Sequence, residues 1–272
     1  MTLSPPPFDG LLRGRTGGLT SACLSVLVSA SLLGLLVPQH GGAQDTPPDG
    51  TWEFVVAPYL SLPHMNGELT VRRVSVGLDV GPGAIFEALN FAAMLYLEAT
   101  NRTWTITFDG LYGDIEGDGT TRITSQDARA NVRQLAAEVT GMRRIVAWAE
   151  VGIGGRVNSI EGGLLVEPGE ILPGFDVREQ RTWFDPLVVA RFSTSIKSNW
   201  RLGLKGDVGG FGIGSDFAWQ VFPHLGYRFG DLFELSGGYR VTGMKYEDGS
   251  GDDLFVYDMI LFGPQFGFGF HF

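Results

Sequence analysis

The chain has 272 residues and a mass of 29.5 kDa, with 40 glycines, 19 phenylalanines, 18% charged residues and a formal net charge of −10. That composition excludes a disordered or coiled-coil chain, and the acidic balance excludes sequence-independent nucleic-acid binding, which needs a basic surface to neutralise phosphates. A mean hydropathy of +0.09 excludes a polytopic helical membrane protein, and the single cysteine, Cys23, excludes an intramolecular disulfide framework and a cysteine-based zinc site.

Residues 1–43 read as a targeting segment. Arg13 and Arg15 supply a positive start, Leu24 to Val37 an apolar core, and Gly41-Gly42-Ala43 small residues at a cleavage site, so a signal peptide cleaved near Ala43 is expected. The uncharged run from Gly17 to Val37 is also long enough to span as an anchor helix, but Pro38 and the small residues follow at once and favour cleavage. Cys23 follows Thr20-Ser21-Ala22, without the leucine that a lipoprotein signal carries three positions before its cysteine. Residues 44–51 then form a short periplasmic segment, and 52–272 the folded domain.

From Trp52 onward apolar residues recur with period two, the signature of β-strands. The pattern predicts about ten strands, near 52–62, 89–100, 102–114, 130–142, 144–158, 182–196, 199–212, 216–229, 231–246 and 254–272, with eight and twelve as the alternatives. Trp104, Ile106, Phe108 and Tyr112 oppose Thr103, Thr105, Thr107 and Asp109. Trp200, Leu202, Leu204 and Val208 oppose Arg201, Lys205 and Asp207; Phe217, Trp219, Val221, Leu225, Tyr227 and Phe229 oppose Ala218, Gln220, His224, Gly226 and Arg228. Phe233, Leu235, Tyr239 and Val241 alternate with Glu234, Ser236, Gly238, Arg240 and Thr242, and in the last segment Ile260, Phe262, Phe266, Phe268 and Phe270 face away from Gly263, Gln265, Gly267, Gly269 and His271. One face is apolar and aromatic; the other is small and polar.

Alternation suits a soluble sandwich as well as a membrane barrel. Length separates them: these segments exceed the usual five or six residues of soluble strands and satisfy the roughly 9–11 residues a tilted strand needs to cross a bilayer. The connections agree, because tight links around Asn101, Arg143, Lys197-Ser198-Asn199 and Gly230-Asp231 alternate with mostly longer ones. Short periplasmic turns, longer outer loops and an even strand number describe an outer-membrane barrel. The expected fold is therefore an all-β, closed antiparallel transmembrane β-barrel. Glu68 to Val76 also alternates and is read as an extension inside the first outer loop; Ala84 to Leu89 is read as one or two helical turns forming a small plug.

The C-terminal Phe268, Phe270 and Phe272, aromatic at every second position, resemble the assembly signal of Gram-negative outer-membrane barrels. Further residues are similar to a widespread group of uncharacterised outer-membrane proteins: Trp52 with Ala57-Pro58-Tyr59-Leu60, Trp183 with Asp185-Pro186, the run from Gly206 to Gln220, Gly226-Tyr227-Arg228-Phe229-Gly230-Asp231, and Gly263-Pro264. The resemblance implies residence in the outer membrane among lipid and lipopolysaccharide, handling by the barrel-assembly machinery through the C-terminal strand, and a monomer. It implies no activity.

If the apolar face meets lipid, the inward polar face holds the buried chemistry: Glu98, Asp109, Glu138, Glu150, Asp185, Asp207 and Glu234 against Arg156, Arg191, Arg201, Lys205, Arg228 and Arg240. In a bore of about ten strands these charges are expected to pair and plug the lumen, giving a structural or surface-interaction role. The alternative is a narrow solute-conducting pore whose selectivity the charges set. A hydrolase comes third, since no nucleophile, base and orienting group share a local motif and His64, His224 and His271 are scattered. Asp114, Glu116 and Asp118 have the oxygen-rich spacing of a calcium loop, but the twelfth position is Ser125, so no specific metal site is expected. No cofactor is expected either, because the glycines from Gly209 to Gly214 have no dinucleotide register.

Overall fold

Alternation in the sequence becomes a wall in space. The computed structural model describes residues 50–71, 74–120, 127–166, 175–197 and 199–272. The proposed signal peptide and periplasmic segment lie outside the described residues, apart from the last two residues of the latter. Twelve strands run in chain order: β1 Glu53–Ser61, β2 His64–Val71, β3 Val74–Val80, β4 Leu89–Thr100, β5 Trp104–Thr120, β6 Asp127–Val146, β7 Ala149–Val166, β8 Phe175–Lys197, β9 Trp200–Gly209, β10 Phe217–Phe229, β11 Phe233–Asp248 and β12 Phe255–His271. A short helix, α1 (Pro82–Glu87), precedes β4.

All pairings are antiparallel, and the order β1-β4-β5-β6-β7-β8-β9-β10-β11-β12 closes on itself through β1 and β12, a barrel of ten strands. At the seam the Phe54 amide donates to the Phe272 carbonyl at 3.0 Å and the Phe272 amide to the Phe54 carbonyl at 2.9 Å. β2 and β3 form a hairpin that joins the outer half of β12. β1 and β2 are one strand interrupted at Leu62-Pro63, because Ser61 opposite Gln265 and His64 opposite Phe262 keep a single register. The alternation seen from Glu68 to Val76 is thus genuine strand, yet it adds nothing to the ring.

Which face meets which solvent is decided by exposure. Phe54, Trp104, Ile153, Phe184, Phe217 and Phe268 are 45–71% exposed, whereas Asp109, Glu138, Glu150, Arg156, Asp185, Lys205 and Asp207 are at most 7% exposed. Water would reverse that arrangement; a bilayer requires it. Trp52, Trp104, Trp148 and Trp200 stand near the end that carries the tight turns, where an interfacial girdle belongs.

The structure corrects several boundaries. The turn expected near Arg143 lies at Ala147-Trp148, because Arg143 continues the ladder opposite Val151 and an irregularity between Arg144 and Val146 delays the reversal. The strand expected to reach residue 212 stops at Gly209: Gly210, Phe211 and Gly212 adopt positive φ (85°, 51° and 73°), which turns the chain sharply. β5 to β8 are longer than expected, and the 23 residues of β8 rise roughly 55–60 Å at ordinary strand rise and tilt. They project well past an apolar band about 25 Å tall. The helical turns expected near Ala84 exist as α1, which buries none of its residues and contributes Ile85 and Phe86 to the lining of a cavity.

Candidate functional site: the barrel lumen

Strand parity aims the charges inward, and barrel closure then brings together residues far apart in the chain. In one cluster Arg191 of β8 donates to Glu98 of β4 at 2.5 Å and to Glu150 of β7 at 2.8 Å, Arg144 donates to Glu150 at 2.9 Å, and the Tyr96 hydroxyl donates to Glu98 at 2.6 Å. In a second, Glu138 of β6 lies between Arg156 of β7 (2.6 Å) and Lys205 of β9 (2.5 Å), while Arg156 also reaches Asp207 at 2.9 Å and Gln220 donates to Asp207 at 3.2 Å. In a third, Asp109 of β5 accepts from Arg240 of β11 at 2.7 Å and from the Tyr59 hydroxyl at 2.6 Å, with Arg240 lying over the Tyr59 and Phe222 rings.

Arg191 to Glu98 and Arg240 to Asp109 cross the ring between strands four places apart, so these bonds traverse the bore. Each cluster pairs equal numbers of acids and bases. Neutral, hydrogen-bonded clusters are the arrangement in which buried ions are tolerated, since an unpaired ion in low dielectric costs several kcal/mol.

Asp185, fully buried, is satisfied differently. It accepts from the Ser215 amide at 2.6 Å, the Ser215 hydroxyl at 3.0 Å and Asn158 at 3.1 Å, and Trp183 donates to the same hydroxyl at 3.0 Å. Two parts of the sequence that carried the family resemblance, the Trp183–Asp185 pair and the glycine-rich run, therefore meet in space and pin the β9–β10 turn into the barrel.

Arg201, Arg228 and Glu234 stand apart from these clusters. Arg201 is 4.0 Å from Glu234, Glu234 is 3.5 Å from His271, and Arg228 donates to the Asp231 carbonyl at 2.9 Å, all at the end with the tight turns. Asp114 and Glu116 do not form a loop: both lie on β5, with Arg133 3.5 Å from Asp114 and Asn90 donating to Glu116 at 3.1 Å. Asp118 is also on β5, its side chain outside the described residues. Strand geometry removes the calcium-loop spacing, which depends on a tight turn. His224 has its Nδ1 3.4 Å from the Phe222 carbonyl and its ring stacked on Phe222. Phe268 and Phe272 are exposed on the lipid side of β12, and Phe270 packs edge-on to Phe233 at 5.7 Å.

The inward face is not polar throughout, as the alternation had suggested. In the outer half Trp183, Tyr246, Phe255, Tyr257 and Met259 form a buried apolar cluster, with Trp183 and Tyr246 stacked at 4.2 Å. Beside it lies a cavity of about 170 Å³ walled by Met65, Met94, Leu111, Ala136, Met244 and Leu261, with Asp109, Glu138, Arg156 and Arg240 along its floor. Sequence reading missed Tyr59, Tyr96, Arg144, Asn158 and Gln220 as members of the network. Parity from Glu53 and Glu98 would have placed Tyr59 and Tyr96 inward.

No protein-family profile matches the sequence, and no curated protein does. Among solved structures, the chain is similar to the outer-membrane protease OmpT of Escherichia coli, with a TM-score of 0.49 and 8% identity over 82% of this chain and 97% of that one. It is also similar to Ail, the attachment invasion locus protein of Yersinia pestis (TM-score 0.33; 8% identity; 81% and 98% covered), and to the Pseudomonas putida toluene transporter TodX (0.34; 7%; 83% and 90%). At such identities the likeness concerns the fold alone, a closed antiparallel β-barrel.

Proposed function

We propose that this protein is a monomeric integral outer-membrane barrel that conducts no solute, its lumen closed by ion pairs, with a structural or surface-interaction role among lipid and lipopolysaccharide. One observation carries the reading: Arg191–Glu98 and Arg240–Asp109 tie opposite walls across the bore, with Arg156, Glu138, Lys205 and Asp207 filling the space between. A conducting pore needs a continuous wet path, whereas these side chains direct most of their hydrogen bonds at one another. The charges in this reading brace the wall and carry no catalysis.

Planar-bilayer recording tests it. The intact barrel should be electrically silent, and R191A together with R240A should introduce discrete conductance steps by removing both cross-bore ties. Steady channel openings from the unaltered protein would overturn the proposal in favour of a narrow pore.

A further inference from the structure

The ten-strand ring is incomplete on one side of its outer half. Pairing between β1 and β4 ends at Pro58 opposite Leu95. Beyond that point β2 continues along β12 and takes β3 as its other neighbour, while β4 from Leu89 to Met94 pairs with β5 alone among the described residues. The Ser61 amide, at the free edge, donates to Met94 Sδ at 3.3 Å in place of a β4 carbonyl. Pro58 has no amide to offer a neighbour, and Pro63 marks the break where the strand turns away. The gap begins six residues above the start of β1 and reaches its end. At ordinary rise and tilt that is roughly 15–25 Å from the periplasmic side, within the outer half of an apolar band about 25 Å tall.

The cavity described above opens through this gap. Its lining passes from inward Met94, Leu111 and Ala136 to outward Leu60 and to Phe86 of α1, which are 44% and 41% exposed. Phe91, 56% exposed, stands on the β4 side of the opening. Its walls are mostly apolar, and the ion pairs along its floor balance in sign, so no net charge is left to recruit an ionic ligand. A space of about 170 Å³ is comparable to an apolar cavity of about 150 Å³ that stays dry and takes up benzene.

We propose that this chamber is a side pocket for hydrocarbon, filled by the end of one acyl chain of a lipid in the surrounding outer leaflet, which enters between β1 and β4. Met94 acts as the gate, since its flexible thioether bridges the two unpaired edges. The proposal rests on the reading of the protein as a membrane barrel with a closed lower lumen.

The test uses the whole protein in phosphatidylcholine vesicles carrying a diazirine at the end of one palmitoyl chain, with adducts mapped by peptide mass spectrometry after irradiation. Outward Val139 and Phe184 should be labelled, and inward Leu111, Ala136 and Met244 labelled to a comparable extent, while inward Val189 and Met142, away from the chamber, stay blank. A136F should fill the chamber and reduce label at Leu111 and Met244 at least fivefold with Val139 and Phe184 unchanged. Label on the outward residues with none in the chamber would overturn this inference and leave the barrel standing. Absence of label on Val139 and Phe184 as well would overturn both.

Discussion

The two halves of this lumen are built on the same strands and solve opposite problems. Toward the tight turns, inward positions carry Glu98, Glu150, Arg191, Glu138, Arg156 and Asp207, joined by charge-assisted hydrogen bonds. Toward the long loops, the same parity carries Trp183, Tyr246, Phe255, Tyr257 and Met259, packed as in a soluble core. A barrel of ten strands is narrow enough that side chains meet from wall to wall, so either chemistry can fill it. What differs is how each half tolerates damage: an apolar cluster loses area and leaves a void, whereas an ion network loses a partner and strands a charge.

That difference sets the largest predicted effects. Removing Arg156 alone (R156A) leaves Glu138 and Asp207 without their shared partner and should destabilise the barrel by about 3–5 kcal/mol, read from denaturant titration in lipid vesicles. Replacing Arg156 and Asp207 together by Met and Leu should recover most of that loss, because Glu138 keeps Lys205 and no charge is left without a partner. In the outer half W183A should also cost about 3–5 kcal/mol through lost packing, and there no second substitution of this kind should restore it. If the Arg156 loss proved as irreparable as the Trp183 loss, the contrast between the halves would fail.

The outer surface supplies the next test. V221R puts a charge on the lipid side of β10 near the middle of the strand and should cost about 2–4 kcal/mol at mid-bilayer depth; a near-neutral result would count against the assigned orientation. Smaller still is the steric effect at Gly203, where an added methyl would overlap the His224 ring. G203A should cost about 1–3 kcal/mol by overpacking, and H224A in the same chain should relieve it.

The smallest effect concerns the hairpin outside the ring. His64 lies 2.5 Å from Asp79, and this hydrogen bond holds the Asp79 carboxyl below its ordinary range. Its stabilisation is therefore complete above the ordinary aspartate pKa and is lost as pH falls through the lowered one. Protection of the β3 amides relative to intrinsic exchange should fall only below the ordinary aspartate range, with D79N lowering it already at neutral pH.

Much of the barrel was legible because outward and inward residues differ in kind along β9, β10, β11 and the last part of β12. Phe217 against Ala218, or Leu235 against Glu234, leaves no doubt about faces. The outer half was not legible for the same reason inverted. From Trp183 to Ala190 both registers are largely apolar, with Trp183, Leu187 and Val189 inward and Phe184 and Val188 outward, so alternation falls silent where both lipid and core are greasy. Phe255 to Leu261 repeats the case. The inward charges could be read off singly, but their partners could not: Arg240 meets Asp109 across 131 residues of sequence, and only closure of the ring sets that distance. The gap between β1 and β4 had one visible trace, the prolines at 58 and 63.

The seam where β12 meets β1 has a consequence for how the molecule comes into being. Phe54 and Phe272 exchange hydrogen bonds although 218 positions separate them, so the contact that completes the wall is also the one with the greatest loop entropy to overcome. Until it forms, β1 and β12 are open edges at opposite ends of a nine-step meander, each able to pair with a foreign strand. Because β2 shares the register of β1 along β12, the same event that seals the ring also seats the outer hairpin, and with it one side of the chamber mouth. Closure and gate assembly are a single step.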